Sequence, residues 1–387
     1  MVQPDPDYRP NPKRAIFVHG QIDLNLVYNL APAILRFQHE SRDPITVYIN
    51  SPGGITLYSE QLTQLLNATN QDSAISCRII TVASGMAASA AADLLCAGDY
   101  AIAHAETRLL FHGVRRSGEG ITVEVASNIA DSLRRTNEQY AISLAAKSVR
   151  RLGFRYAWMR SEFQEFKSKT ANPPTTDTEC FIGMISERIS QEALQVVKRA
   201  VRRNQQYEAL VDHVSKSFVR LAKSKKQASK ADTEAVVMKS ILDFEKKRNS
   251  KESSWNFSNG GLSQAVNDFL LVNEYFAMYD AEHLKRLCDN WGMFFLDEAG
   301  RQELASMTDT AQYQERLHQL VKPILRPLWL FFIATCYELQ NEENVLRAED
   351  AFWLGLIDEV IGASEELFPF RRLMENKPDP SPSNAPE

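Results

Sequence analysis

A serine hydroxyl attacks a carbonyl only when a neighbouring base takes its proton and when fixed donors receive the oxyanion that forms. Three short stretches of this sequence offer those parts. The first is Gly85-Met86-Ala87-Ala88-Ser89-Ala90-Ala91-Ala92, where small residues on both sides of Ser89 allow close approach to its hydroxyl. The second is Asn50-Ser51-Pro52-Gly53-Gly54, a sharp turn whose glycines can aim their N–H groups at a ligand. The third is Thr107-Arg108-Leu109-Leu110-Phe111-His112-Gly113, which ends on an imidazole 23 residues beyond the serine. His104, in Ala103-His104-Ala105-Glu106, is the alternative base.

Each stretch implies an element that must position it. Ile75 to Val82 is an apolar, β-branched run of strand length, and Asp93 to Gly98 reads as a helix that ends on glycine. Ser89 is therefore expected just inside a helix that begins after a strand, near N–H groups with no intrahelical partner. Ile45 to Ile49 alternates as a strand before the Gly-Gly turn, and Thr107 to Phe111 is a short strand before His112. Taken singly, each has a plainer reading: a tightly packed Ala/Gly helix, an ordinary turn, a structural histidine. Together they supply the parts of serine hydrolysis.

At this point the residues carry a resemblance. Tyr48-Ile49-Asn50-Ser51-Pro52-Gly53-Gly54, then Gly85-Met86-Ala87-Ala88-Ser89, then Leu110-Phe111-His112 resemble the three signature blocks of the proteolytic subunit of the ATP-dependent Clp protease, in order and at its spacing. Arg14 to Asp23 resembles that family's first core strand, and Glu343 to Ala351 with Gly355-Leu356-Ile357-Asp358 resembles its C-terminal block. The resemblance covers about half the chain. It implies a serine endopeptidase acting on peptides or unfolded proteins, with Ser89 as nucleophile, His112 as base and Glu343 as the acid that orients the histidine. The family usually has an aspartate at that last place, and Glu342 is one register away. It puts the oxyanion donors at the backbone N–H groups of Gly53 and Ala90, and it implies neither cofactor nor metal.

Two further expectations follow from the resemblance. The helix after the histidine serves the family in subunit assembly, so a homo-oligomer is expected, with Ile129, Leu133, Tyr140 and Leu144 suited to a partner surface. The family's segment ahead of the first strand faces an ATPase unfoldase. Only a short proline-rich arm precedes Arg14, which argues against an unfoldase partner.

Composition bounds the rest. At 387 residues with 44% hydrophobic content the chain exceeds one average domain and can bury a sizeable core. No apolar run reaches the roughly 18 residues of a membrane span, and Met1 to Asp7 lacks the marks of a secretion signal, so a cytoplasmic location is expected. Cys77, Cys96, Cys180, Cys288 and Cys336 are scattered and lack metal-binding spacing, which excludes a zinc knuckle and predicts reduced core thiols. Lys198 to Lys251 holds 15 Lys and Arg against six Asp and Glu, but few aromatics to stack on bases. A solvated helical face is the better reading of it than a nucleic-acid surface.

In chain order the pattern divides into a flexible arm at 1–13, a first core part at 14–152, a helical insertion at 153–322, a second core part at 323–363 and a disordered tail at 364–387. Strands alternate with amphipathic helices in the first core part. Within the insertion Ile185, Ile189, Ala193, Val196 and Ala200 fall on one helical face, as do Tyr207, Val211, Val214, Phe218 and Leu221, while Phe257 to Gly261 reads as a loop before helical pattern from Ala265 to Cys288. Pro323 and Pro327 are expected to punctuate the return to the core. The fold class is α/β, narrowed by the resemblance to the spiral of ββα units shared by Clp proteases and the crotonase superfamily, carrying an inserted all-helical domain. Two other functions remain open: a catalytically silent scaffold of the same fold, and a crotonase-superfamily enzyme acting on acyl-CoA.

Overall fold

The computed structural model describes residues 10–68, 76–115, 123–224 and 292–363, with 235–236, 239–240, 243, 285–289 and 367. The expectations for 1–9, 257–261, most of 265–288 and the tail beyond 367 lie outside the described residues. The chain divides into two compact units, Met1–Val197 with Cys336–Glu387, and Lys198–Thr335.

The first unit is a seven-stranded sheet wrapped by helices. β1 (Ala15–His19), β2 (Ile45–Ser51), β3 (Ile79–Ala88) and β4 (Tyr100–His104) lie side by side in parallel, with β7 (Glu359–Ile361) outside β4. β5 (Arg108–Phe111) pairs in parallel with the far end of β3, and β6 (Asn344–Arg347) runs antiparallel to β5. Crossovers between parallel strands need helices, and α1 (Leu24–Glu40), α2 (Thr56–Leu66) and α3 (Ala90–Cys96) supply them. Asp23 starts α1 by accepting the Leu26 N–H at 2.9 Å. Ile80, Val82, Tyr100 and Ile102 form one buried cluster with Tyr48 against it, each aliphatic member contributing on the order of 1.5–3 kcal/mol. This is an α/β architecture with a largely parallel sheet, consistent with the Clp protease and crotonase spiral.

Strand β3 changes neighbours part-way. Ile80 to Ala83 pair with β4, whereas Met86 to Ala88 pair with β5. Between the two sets the register with β2 shifts, and Gly85 takes a left-handed φ of 81°, a conformation that favours glycine. Gly85 to Ala88 therefore belong to the strand. Ser89 is not inside a helix as the sequence suggests: it is the cap residue of α3, one step before it.

α4 (Val123–Met159) follows β5, and α5 (Phe163–Lys169), α6 (Asp177–Ser186) and the start of α7 (Gln191–Ser224) stay within the first unit. Thr176 and Glu179 close a capping box on α6. Ile185, Ile189, Ala193, Val196 and Ala200 are all buried, but the chain breaks between α6 and α7, so they do not share one helix. Among the Tyr207 to Leu221 set, the side chains lie outside the described residues. The C-terminal block is tied to α4 by a buried network. Arg151 Nε donates to Asp358 at 2.6 Å and its Nη atoms reach the carbonyls of Cys96, Gly98 and Leu356. Ser190 donates to Asp350 through both its N–H and its hydroxyl, linking the start of α7 to the segment after β6.

The second unit contains η-helical Gly292–Phe295, α8 (Glu298–Ala305) and most of α9 (Thr310–Asn341). Asp297 caps α8 through the Gly300 N–H at 2.9 Å. Pro323 and Pro327 do not break the chain as expected but lie inside α9, where an apolar, largely buried flank from Leu325 to Ile333 outweighs the two missing N–H donors. By length and composition α9 would suffice to cross a membrane, yet 61% of its most apolar window is buried inside the protein, as in a core helix. After β6, α10 (Ala348–Trp353) leads to β7. All five cysteines are buried and free.

Candidate active site

Ser89 occupies a constrained turn. Its φ of 55° is the one positive value at a non-glycine among the described residues, and its N–H donates to the Leu110 carbonyl at 2.7 Å. Backbone held in a sparsely populated region persists only where surrounding structure enforces it. Here the enforcement comes from three sides: β3 arrives, α3 leaves, and β5 grips the peptide between them. The hydroxyl caps no N–H of α3 and is part-exposed.

Gly53 abuts this turn. A Cβ on Gly53 would sit 2.4 Å from the Ala88 carbonyl oxygen, 2.8 Å from Ser89 Cβ and 3.2 Å from Ala90 N, at a φ of 90°. Only glycine fits there. The two proposed oxyanion donors are thus brought to the serine, but they differ in state. The Ala90 N–H is the first of α3 and has no intrahelical partner. The Gly53 N–H already donates to Ser51 Oγ at 3.0 Å, whose own hydroxyl donates to the Gly20 carbonyl at 2.5 Å. Ser59 Oγ, from α2, donates to the Ala90 carbonyl and fixes the start of α3 from behind.

His112 follows β5 directly, two residues past the carbonyl that holds the Ser89 N–H. Its Nδ1 lies 2.7 Å from the Gly113 carbonyl oxygen, which selects the tautomer protonated at Nδ1 and leaves Nε2 as the basic nitrogen. The antiparallel ladder pairs Arg108 with Arg347, Leu109 with Leu346, Leu110 with Val345 and Phe111 with Asn344. One more step of that register sets Glu343, and not Glu342, opposite His112. The carboxylate nevertheless turns elsewhere: Arg115 donates to Glu343 Oε1, and among the described residues no hydrogen bond joins His112 to Ser89 or to Glu343. The Arg115 hydrogen bond, and then its charge, hold the Glu343 carboxyl below the usual range, with the charge of His112 a smaller contribution. His104 is exposed at the end of β4, where it pairs with Ile361 of β7.

Behind α3 lies a cavity of about 310 Å³ walled by α2, α3 and α4, with Glu60, Asp93, Tyr140 and Lys147 in its lining. Burial pushes the Asp93 carboxyl up to about 6, opposed by the charge of Lys147 and a hydrogen bond from Gln340. Tyr140 donates to Glu60, and Leu144 is buried. These two side chains, expected on a partner surface, are turned to the chain's own α2 and α3. Sequence reasoning missed Arg115, Ser51 and Asp93. For two of them a signal existed: a basic residue three positions after the histidine, and a lone carboxylate within the apolar run Ala90 to Cys96.

Among the described residues no cluster of His, Cys, Asp or Glu could hold a metal ion. The family model described as Clp protease matches residues 9–152. The chain is 33% identical over 133 residues to ATP-dependent Clp protease proteolytic subunit 4 of Rhodococcus jostii (strain RHA1), covering 34% of this chain and 66% of that protein. It is 29% identical over 139 residues to subunit 3 of the same organism, covering 35% and 65%. With proteolytic subunit 2 of Thermobifida fusca (strain YX) it shares 32% over 126 residues, covering 31% and 58%. The chain thus spans just under two thirds of the length of the first two relatives. The match runs from β1 through the serine turn and the histidine strand into α4, so residues 9–152 carry a Clp protease domain.

Proposed function

We propose that the protein is a serine endopeptidase that hydrolyses peptide bonds in peptides or unfolded proteins. The observation that carries this reading is the Ser89 turn: a strained, accessible serine pinned to β5 through Leu110, two residues from His112, with an unpartnered N–H next in line. Ser89 Oγ attacks the scissile carbonyl and passes its proton to His112 Nε2. The oxyanion is received by the Ala90 N–H and by the Gly53 N–H as the latter exchanges Ser51 for substrate. The imidazolium then protonates the leaving amine, and water admitted to the same base hydrolyses the acyl-enzyme. Glu343, one residue beyond the end of the ladder as His112 is, stabilises the imidazolium when its carboxylate reaches Nδ1.

The assembled form is proposed to be a homo-oligomer in the cytoplasm, with the helical insertion at 153–322 restricting or redirecting access. Neither nucleic acid nor a membrane is proposed as a partner, and an unfoldase is not required for small peptides. The scaffold reading has two observations in its favour: in the single chain Glu343 is held by Arg115, and the Gly53 N–H by Ser51. Labelling with a fluorophosphonate, on protein whose assembly has been measured by sedimentation, separates the two. A Ser89 adduct with peptide cleavage supports the peptidase. An unlabelled, inert oligomer overturns it.

A further inference from the structure

The third member of the proposed triad is occupied. Glu343 and His112 each lie one residue beyond the last β5–β6 pair, Phe111 with Asn344, yet the Glu343 carboxylate is bonded to Arg115, and the His112 Nδ1–H is spent on the Gly113 carbonyl. A backbone carbonyl orients an imidazole but carries no full charge. It therefore stabilises the imidazolium of the transition state less than a carboxylate would. Arg115 and Glu343 are both well exposed, at 63% and 62% of their side chains, and such pairs are weak against solvent and salt. The arrangement has two states separated by one exchange of partners. In one, Arg115 holds Glu343 and Gly113 holds His112. In the other, Glu343 holds His112 and Arg115 is released to solvent.

We propose that Arg115 is a positioning residue that keeps Glu343 off His112 in the resting chain, so that the site gains its full strength when Glu343 exchanges Arg115 for His112 Nδ1–H. This rests on the peptidase reading. The ionisable groups that share these two segments are Arg108 and Arg347, paired with each other three steps back along the ladder, and Glu342 and Glu349 on the β6 side. Arg347 is itself engaged by Asp350 and so is not a rival for Glu343. Arg115 is therefore the cation whose removal changes the partner of Glu343 with least effect on the rest of the fold.

The test compares peptide hydrolysis by wild type, Arg115→Gln, Arg115→Lys, Glu343→Gln and the double variant Arg115→Gln with Glu343→Gln, all as full chains of measured assembly, at low and high salt. Arg115→Gln is expected to raise kcat by about two- to fivefold at low salt, the range open to a weak exposed ion pair. It is also expected to move the acid limb of kcat/KM to higher pH, because a carboxylate on Nδ1 favours the imidazolium. Wild type should approach Arg115→Gln as salt rises, Arg115→Lys should behave as wild type, and the gain should vanish in the double variant. An Arg115→Gln protein that is labelled at Ser89 but has unchanged or lower kcat and an unmoved acid limb overturns the inference alone. If wild type and Arg115→Gln are both unlabelled and inert as assembled protein, the peptidase reading falls and the inference with it.

Discussion

The two halves of the candidate site are built differently. Gly53, Ser89 and Ala90 meet through backbone: a left-handed glycine against a strained serine, a peptide N–H gripped at 2.7 Å by Leu110, and a Cβ-free contact that no other residue could make. His112, Glu343 and Arg115 gather at the end of a four-pair ladder, where Arg115 and Glu343 meet through side chains and His112 turns to the Gly113 carbonyl. The same contrast separates two ion pairs of one chemistry. Arg151–Asp358 is buried, at 0% and 6% exposure, and its guanidinium also reaches three carbonyls, whereas Arg115–Glu343 stands in solvent with a single bond. A buried pair with every donor placed cannot exchange partners without a large penalty. An exposed one can. The serine half of the candidate site is thus fixed by the fold, and the histidine–glutamate half can exchange partners.

The sharpest way to break that contrast is Ser89→Ala. Hydrolysis should fall by roughly six orders of magnitude in kcat, as for a lost triad nucleophile, while stability shifts by about 0.5 kcal/mol or less. Peptide assays beside denaturant unfolding check both, and a large loss of stability would mean that the hydroxyl holds the turn together. Next in size, Glu343→Gln should slow hydrolysis by up to about four orders of magnitude and Glu342→Gln by far less. Equal effects would show that the ladder register does not continue past Phe111 and Asn344.

Gly53→Ala sharpens the other half. The added carbon would press on the Ala88 carbonyl and Ser89 Cβ, so kcat should drop by about 10²–10³, the effect of losing one oxyanion donor, with the His112 pH profile unmoved. A near-normal rate would mean the nucleophile half is as adaptable as the other. The smallest effect is expected from Asp93, whose carboxyl burial pushes up from 3.8 to about 6. Below pH 3.8 it is neutral in both folded and unfolded chains. Between 3.8 and 6 only the unfolded chain releases the proton, so stability declines with rising pH across that window and stays lower above it. Asp93→Asn should therefore gain on the order of 3 kcal/mol at pH 7.5 and nothing near pH 3.5. Denaturant midpoints at the two pH values measure it, and an equal gain at both would remove titration as the cause.

Much of this fold was legible because its signals are local. Ile45 to Ile49, Tyr100 to Ala103 and Leu109 to Phe111 are short apolar runs between turn residues, and they are strands. Where the reading failed, a non-local partner had decided. Gly85 to Ala88 read as the way into a helix because alanine favours helices, but β5 recruits Met86 to Ala88 into the sheet and leaves Ser89 to cap α3. Pro323 and Pro327 read as breaks because proline lacks an N–H, yet the buried flank of α9 carries the helix through them. Tyr140 and Leu144 read as a partner face because helical spacing reports one apolar stripe and not which surface covers it.

The sequence by itself determined which residues could do chemistry and in what order the chain delivers them: a Gly-Gly turn, a serine among small residues, a strand-end histidine and, far away, a pair of glutamates. Those are matters of residue type and spacing, which covalent order preserves. Only the tertiary structure decided that Gly53 lies against Ser89, that β6 brings Glu343 to the end of β5 beside His112, that the Gly53 N–H is taken by Ser51, and that Arg115 holds the carboxylate. Each of these joins residues from 2 to 231 positions apart, where side-chain geometry, charge and competition for a limited number of donors and acceptors set the partner.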